Sequence, residues 1–238
     1  MKTLERQMRP GLELRLNKFL AERLGISRRQ ADDLIASGKV LVNGKTAALG
    51  ARIDKNTKVC YNGKIVPFTV SYTYLALNKP AGYVCSRKNQ GGTPTIYEIL
   101  PEKYHELKTV GRLDKDSSGL ILLTNDGDFA FSHTHPKFVK EKRYEVTLDR
   151  NLEPLHQQMI ADFGVDLPDG KSRLGLSRLG DENGRKDWLV VMSEGRNRQI
   201  RRTFAALGYK VVRLHRIQFG KYVLNGLKPG EFTELKRN

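Results

Sequence analysis

The sequence predicts an α+β protein with a mixed, mainly antiparallel sheet, preceded by a small helix-helix-hairpin unit. Three observations predict it. Apolar residues recur at helical spacing in the first 40 residues; later strand and helix patterns interleave without a regular strand-helix-strand repeat. The third is the composition: 238 residues, 39% apolar with 9 prolines, can bury one good core or two smaller ones.

In the first unit, Leu16, Phe19, Leu20 and Leu24 share a helical face and Gly25 follows as a stop. Ser27-Arg28-Arg29-Gln30 reads as a capping box, the Ser hydroxyl on the third amide and the Gln reaching back. It opens a second helix with Ala31, Leu34 and Ile35 inward, ended by Gly38. Residues 39–45 read as a strand entering an Asn43-Gly44 turn, and 59–65 repeat that device at Asn62-Gly63. The helices leave Lys18, Arg23, Arg28 and Arg29 outside. Arg28 and Arg29 sit at a helix start, where free amides and the helix dipole favour an anion. Phosphate is the natural ligand, and a solvated basic face the alternative.

Residues 67–73 carry few packing signals and read as a linker. Beyond it, 74–77 is a strand stopped by Pro80, 119–124 an apolar strand broken at Asn125-Asp126-Gly127, and 142–148 alternates in the strand manner. Residues 153–163 read as helix, 185–193 as strand, 198–207 as helix closed by Gly208, and 209–214 as strand.

Charge narrows the function. Lys and Arg number 42 against 26 Asp and Glu, a formal +16, and residues 1–72 hold half of that excess. A polyanionic partner follows. Runs such as 120–123 and 188–192 fall far short of the roughly 20 apolar residues of a bilayer span. The first 13 residues lack an apolar signal region, so a cytoplasmic protein is expected. Cys60 and Cys85 form no CxxC or Cys/His cluster and read as reduced structural thiols. His133 and His135, two residues apart near the end of a short helix, do not share a face, and His105 lies in a loop, so no metal site is expected. No glycine-rich phosphate loop or dinucleotide turn is present, and no nucleotide cofactor is supported.

Two stretches carry chemistry. Gly111-Arg112-Leu113-Asp114-Lys115-Asp116-Ser117-Ser118-Gly119 sets a carboxylate among cations, which keep it ionised; it is a candidate nucleophile or base, or the anchor of an Asx-type turn. Gly195 to Arg202 places four Arg in eight residues at a helix start, a phosphate site or a solvated face.

The stretch RLNKFLAERLGISRRQADDLIASGKVLVNGK resembles the S4 RNA-binding domain, although Asn17 replaces the Asp more usual after Arg-Leu. GRLDKDSSGLILLTNDG resembles the catalytic motif of pseudouridine synthases, specifically the ribosomal RNA branch that carries an N-terminal S4 domain. LNKPAGYVCS, EKRYEV, EGRNRQIRR and VVRLHRIQFG follow that family's order over residues 14 to 234, with Ser117 where Thr is often found. The resemblance implies an S4 domain at 14–66 and a catalytic domain at 74–234. It makes Asp114 the catalytic aspartate, Tyr144 the aromatic that stacks on the target uracil, Arg201 the basic partner of the aspartate and Leu214 the apolar wall of the base pocket. Lys18, Arg28, Arg29, Arg112, Lys115, Arg196 and Arg198 are the RNA-binding candidates. The implied reaction converts uridine into its C5-linked isomer in ribosomal RNA, needs no cofactor, and is carried out by a monomer. A noncatalytic RNA-binding or ribosome-assembly factor keeping the fold is the alternative. A metal-dependent nuclease using Asp114, Asp116, Asp126 and Asp128 is a third reading.

Overall fold

The structure, a computed structural model, describes residues 13–69, 71–87, 91–180 and 185–236. The reading of residues 1–12 lies outside them, as does Val70 of the expected linker. Two compact units are present, one running to Thr73 and including Asn125–Gly127, the other formed by Tyr74–Thr124 and the chain from Asp128 onward.

The first unit contains helices Leu16–Arg23 and Arg28–Ala36. Its four-stranded sheet has the order Lys45–Thr46, Val40–Val42, Val59–Tyr61, Lys64–Ile65. The second helix begins where local chemistry dictates: the Gln30 amide donates to Ser27 Oγ at 3.1 Å and the Ser27 amide to Gln30 Oε1 at 2.8 Å. Both Asn-Gly pairs have positive φ, the backbone that a tight hairpin turn needs. Leu16, Phe19, Leu20, Ala31, Ile35, Val40 and Val59 form the core. Arg23 departs from the expectation of an outward cation. Its guanidinium donates to the Pro67 and Phe68 carbonyls and lies 5.2 Å from the Phe19 ring centroid. Those carbonyls come from a segment that the periodicity of the helix cannot see.

The second unit is built on a nine-stranded sheet. Its main path runs Gly175–Arg178, Asp187–Met192, Lys142–Leu148, Val211–Phe219, Ser118–Thr124, Tyr74–Lys79, Phe232–Glu234. Lys108–Val110 and Tyr222–Val223 pair at the side. All pairings are antiparallel except that of Val211–Phe219 with Ser118–Thr124. Trp188, Phe204, Leu75, Leu77 and Ile121 are among the fully enclosed residues. Most boundaries shift by a residue or two from expectation, and two have a clear local cause. The Tyr209 amide still caps the preceding helix at Phe204 O, so the strand expected at 209–214 begins at Val211 and runs to Phe219. The helix expected at 198–207 is Gln199–Ala206, because Arg198 adopts a left-handed φ of 46° as its N-cap. The helical expectation at 153–163 is met by Pro154–Gln158 followed by a π turn, Met159–Phe163. Among the described residues no helix is long and apolar enough to cross a membrane.

Candidate active site

The loop carrying Asp114 is a β-turn closed by its backbone: the Ser117 amide donates to Asp114 O at 3.1 Å. The carboxylate is therefore not spent on holding the turn. Among the described residues its partner is Arg198 Nη1, at 3.4 Å, and the side chain stays partly exposed.

The segment just after the Tyr74–Lys79 strand grips this loop from behind at three points. Lys79, fully buried, donates from Nζ to Ser117 O at 2.6 Å. The Gly82 amide donates to Lys115 O at 2.7 Å, and the Leu113 amide to Cys85 Sγ at 3.5 Å. Burial pushes the Lys79 ammonium down and the Cys85 thiol up from their ordinary values. The sequence shows Lys79 only as part of LNKPAGYVCS, after the 74–77 strand and before the proline that stops it. A lysine between an apolar run and a proline was the signal available.

On the other side stands the arginine-rich helix start. Arg198 makes two bonds to Asp116, at 3.1 and 3.0 Å. Arg201 donates to Val211 O at 2.7 Å and to Asp116 O at 3.0 Å, with its Nε 3.4 Å from the Asp116 carboxylate. The direct ion-pair partner of Asp114 in this geometry is thus Arg198, while Arg201 meets Asp116. Hydrogen bonds from Arg198 hold the Asp116 carboxyl below its usual range.

Gly119 closes the loop where the parallel strand passes. With φ at +103°, a Cβ there would lie 2.3 Å from Arg216 O and 2.5 Å from Arg216 N, so no side chain fits. This approach brings Val211–Phe219 alongside the loop, with His215 and Arg216 in register with Ser118 and Gly119.

A cleft of about 670 Å³ opens in front. Asp114, Tyr144, Leu214, Arg112, Arg196 and Arg198 line it, together with Lys142, Arg216 and Phe219. Tyr144 lies on the Lys142–Leu148 strand opposite a register shift, where the partner strand carries Ile217 as an extra residue between Gln218 and Arg216. Such bulges turn side chains and recur beside active sites. Tyr144 and Leu214 are both largely enclosed, forming an aromatic and an aliphatic surface within one pocket.

The basic candidates divide. Arg112 is exposed in the cleft. Arg196 is largely consumed by the carbonyls of Asp169, Gly170 and Lys171 and by Asp169 and Glu194 carboxylates. Lys115 lies outside the cleft lining and donates to Thr93 Oγ1 at 3.2 Å. Arg28 and Arg29 are exposed in the first unit, whereas Lys18 is partly buried with its ammonium 4.0 Å from Glu22. His133 lines the cleft but stacks on Phe129 and is held below its ordinary pKa by burial. Among the described residues no three His, Cys, Asp or Glu side chains gather as a metal site.

Comparisons with known proteins agree with this architecture. Residues 73–206 match the family model for RNA pseudouridylate synthase, and residues 14–59 that for the S4 domain. Ribosomal small subunit pseudouridine synthase A of Pasteurella multocida is 39% identical over 229 residues, spanning 93% of this chain and 96% of that protein. Ribosomal large subunit pseudouridine synthase B of Bacillus subtilis is 34% identical, over 93% and 91% of the two chains. A crystal structure of a pseudouridylate synthase superposes with a TM-score of 0.66 at 36% identity, covering 94% of this chain and 96% of the other. With a family model over more than half of its length, an S4 model before it and relatives matched over nearly the whole chain, the protein belongs to the RNA pseudouridylate synthase family and carries an S4 domain.

Proposed function

We propose that the protein isomerises a specific uridine of ribosomal RNA to pseudouridine, with Asp114 as the catalytic aspartate, Tyr144 under the target base and Leu214 as the wall of its pocket. One observation carries this reading: the Asp114 carboxylate, free of the turn that presents it, faces the same cleft as Tyr144 and Leu214. Isomerisation breaks the bond between uracil N1 and C1′ and forms one between C5 and C1′. Nothing is added or removed, so the reaction balances without a donor or redox partner. An ionised Asp114 can add to C1′ or take a proton from the sugar. Arg201, through its bonds to Asp116 and Val211, positions the loop that carries the aspartate. A flipped uracil needs a flat face and a dry wall, which an enclosed Tyr and Leu provide. Of the basic candidates Arg112, exposed in the cleft, meets the RNA around the target, while Arg196 and Arg198 hold the loops that frame it and Lys115 lies outside its lining. The S4 domain, residues 14–66, holds RNA through Lys18, Arg28 and Arg29, while residues 74–234 do the chemistry. The enzyme acts in the cytoplasm as a monomer. Relatives named for both ribosomal subunits leave either RNA as the source of the target.

The test is Asp114→Asn, which keeps shape and hydrogen bonding but removes the charge. Single-turnover assay on ribosomal RNA, read as pseudouridine formed, should fall at least about 100-fold, the lower end for a group in proton transfer. RNA affinity should stay within a few-fold. Retained turnover would move the chemistry to another residue. Tyr144→Ala should weaken productive binding by about 1–3 kcal/mol, the scale of one base stack, with Tyr144→Phe much milder. A Phe variant as impaired as the Ala variant would give the role to the hydroxyl.

A further inference from the structure

Lys142 and Arg216 are two cations in the cleft wall that the proposed chemistry does not use. Arg216 is 3% exposed. Its Nε donates to Leu120 O at 2.7 Å, but its buried Nη2 has no hydrogen-bond partner among the described residues. Lys142 Nζ lies 3.1–3.3 Å from the carbonyl oxygens of Lys140, Ser193 and Glu194. Carbonyls satisfy its hydrogens, and the Glu194 charge offsets its own only in part, since burial and the Arg216 charge outweigh it. The two cations flank one ring, 5.7 and 5.0 Å from the Phe219 centroid. Among the described residues neither forms an ion pair with a carboxylate. Burial and then the Arg216 charge lower the Lys142 pKa, as expected for like charges held together out of water. Such a pair is costly in the empty protein and calls for an anion.

The register says where that anion belongs. Tyr144 faces Arg216 across the strand pair, and Lys142 faces Phe219. Lys142 and Tyr144 are two residues apart, on the same sheet face and about 6.6 Å along the strand. A base lying on Tyr144 therefore has its own sugar-phosphate within reach of both cations.

We propose that Lys142 and Arg216 form a phosphate site for the nucleotide whose base occupies the Tyr144 pocket. This rests on the reading of that pocket as the uracil site. The cations draw the flipped nucleotide in by its phosphate and fix its height over Asp114.

Two measurements test it. The salt dependence of binding to a nine-residue oligouridylate is compared for wild type, Lys142→Met, Arg216→Met and Arg216→Lys. Each lost cation should lower the slope of log affinity against log salt by about 0.7, the single-strand value per phosphate. Arg216→Lys should keep the slope, and Arg178→Ala, an exposed cation outside the cleft, should not change it. Second, the wild type should bind uridine 5′-monophosphate at least about tenfold more tightly than uridine, a preference that Lys142→Met removes. Lys142→Met keeps the test decisive if Arg216→Met fails to fold. An unchanged slope in Lys142→Met, or equal wild-type affinity for nucleoside and nucleotide, overturns the site. If ribosomal RNA is isomerised while both readouts stay flat, the phosphate site fails and the enzyme reading stands. If Lys142 governs both readouts but no pseudouridine forms, the anion site stands and the enzyme reading fails.

Discussion

Arg28 and Arg29 open one helix of this chain with their side chains in solvent, whereas Arg196, Arg198, Arg201 and Arg202 open another and are spent on Asp114, Asp116, Asp169 and backbone carbonyls. The same residue type, at the same kind of position, does two jobs. In the first unit the capping is done by Ser27 and Gln30, which leaves the arginine side chains in solvent. In the second the N-cap is itself an arginine in a left-handed conformation, and the surrounding guanidiniums hold loops together. A basic run is thus open to solvent where other side chains cap the helix, and closed where its guanidiniums hold loops.

The sharpest way to break this contrast is Arg201→Met. It strips the donor from Val211 O and Asp116 O in a half-buried place and should lower unfolding stability by roughly 2–3 kcal/mol, measured by urea denaturation. A loss below half a kcal/mol would make the second cluster as solvated as the first. The opposite signature is expected of Arg28→Ala/Arg29→Ala: stability within about 0.5 kcal/mol of wild type, and a salt slope for RNA binding flatter by up to about 1.5. The single-turnover rate at saturating RNA should be unchanged. An unaltered slope would leave these arginines merely solvated. The smallest effect is expected at Asp116. Arg198 holds its carboxyl below the ordinary 3.8, so its ion pairs stabilise fully above that pH and are lost as pH falls through the lower folded value. Asp116→Asn should cost less than about 1 kcal/mol at neutral pH, the pair being screened by solvent. It should also flatten the acid side of the stability profile below about pH 4. An acid limb identical to wild type would show that the pair contributes nothing.

What could be read from the sequence was what is written within a few residues. The Ser27 capping box, the Asn-Gly turns, the alternation at 142–148 and the loop around Asp114 are local patterns, and each appears where its residues put it. What was not legible depends on chain that lies far off. Arg23 was expected outside and is folded onto carbonyls 44 and 45 residues away. Lys79 acquires its place from Ser117 O, 38 residues on. The short strand Phe232–Glu234 pairs with Tyr74–Lys79, a relation no periodicity encodes. The bulge that seats Arg216 opposite Tyr144 is a property of two strands together. Tyr144 and Arg216 also show why a pocket is harder to read than a loop: each looks like ordinary strand content until its cross-strand neighbour is known.

The close passage of Val211–Phe219 over Gly119 also sets an order of assembly. The first unit, apart from Asn125–Gly127, is made of neighbours in sequence, and its local contacts cost little loop entropy. The Asp114 loop, by contrast, lacks one wall until residues almost a hundred positions later arrive to lie beside it. During synthesis the helix-hairpin unit therefore has its chain available well before the cleft around Asp114 has all its walls.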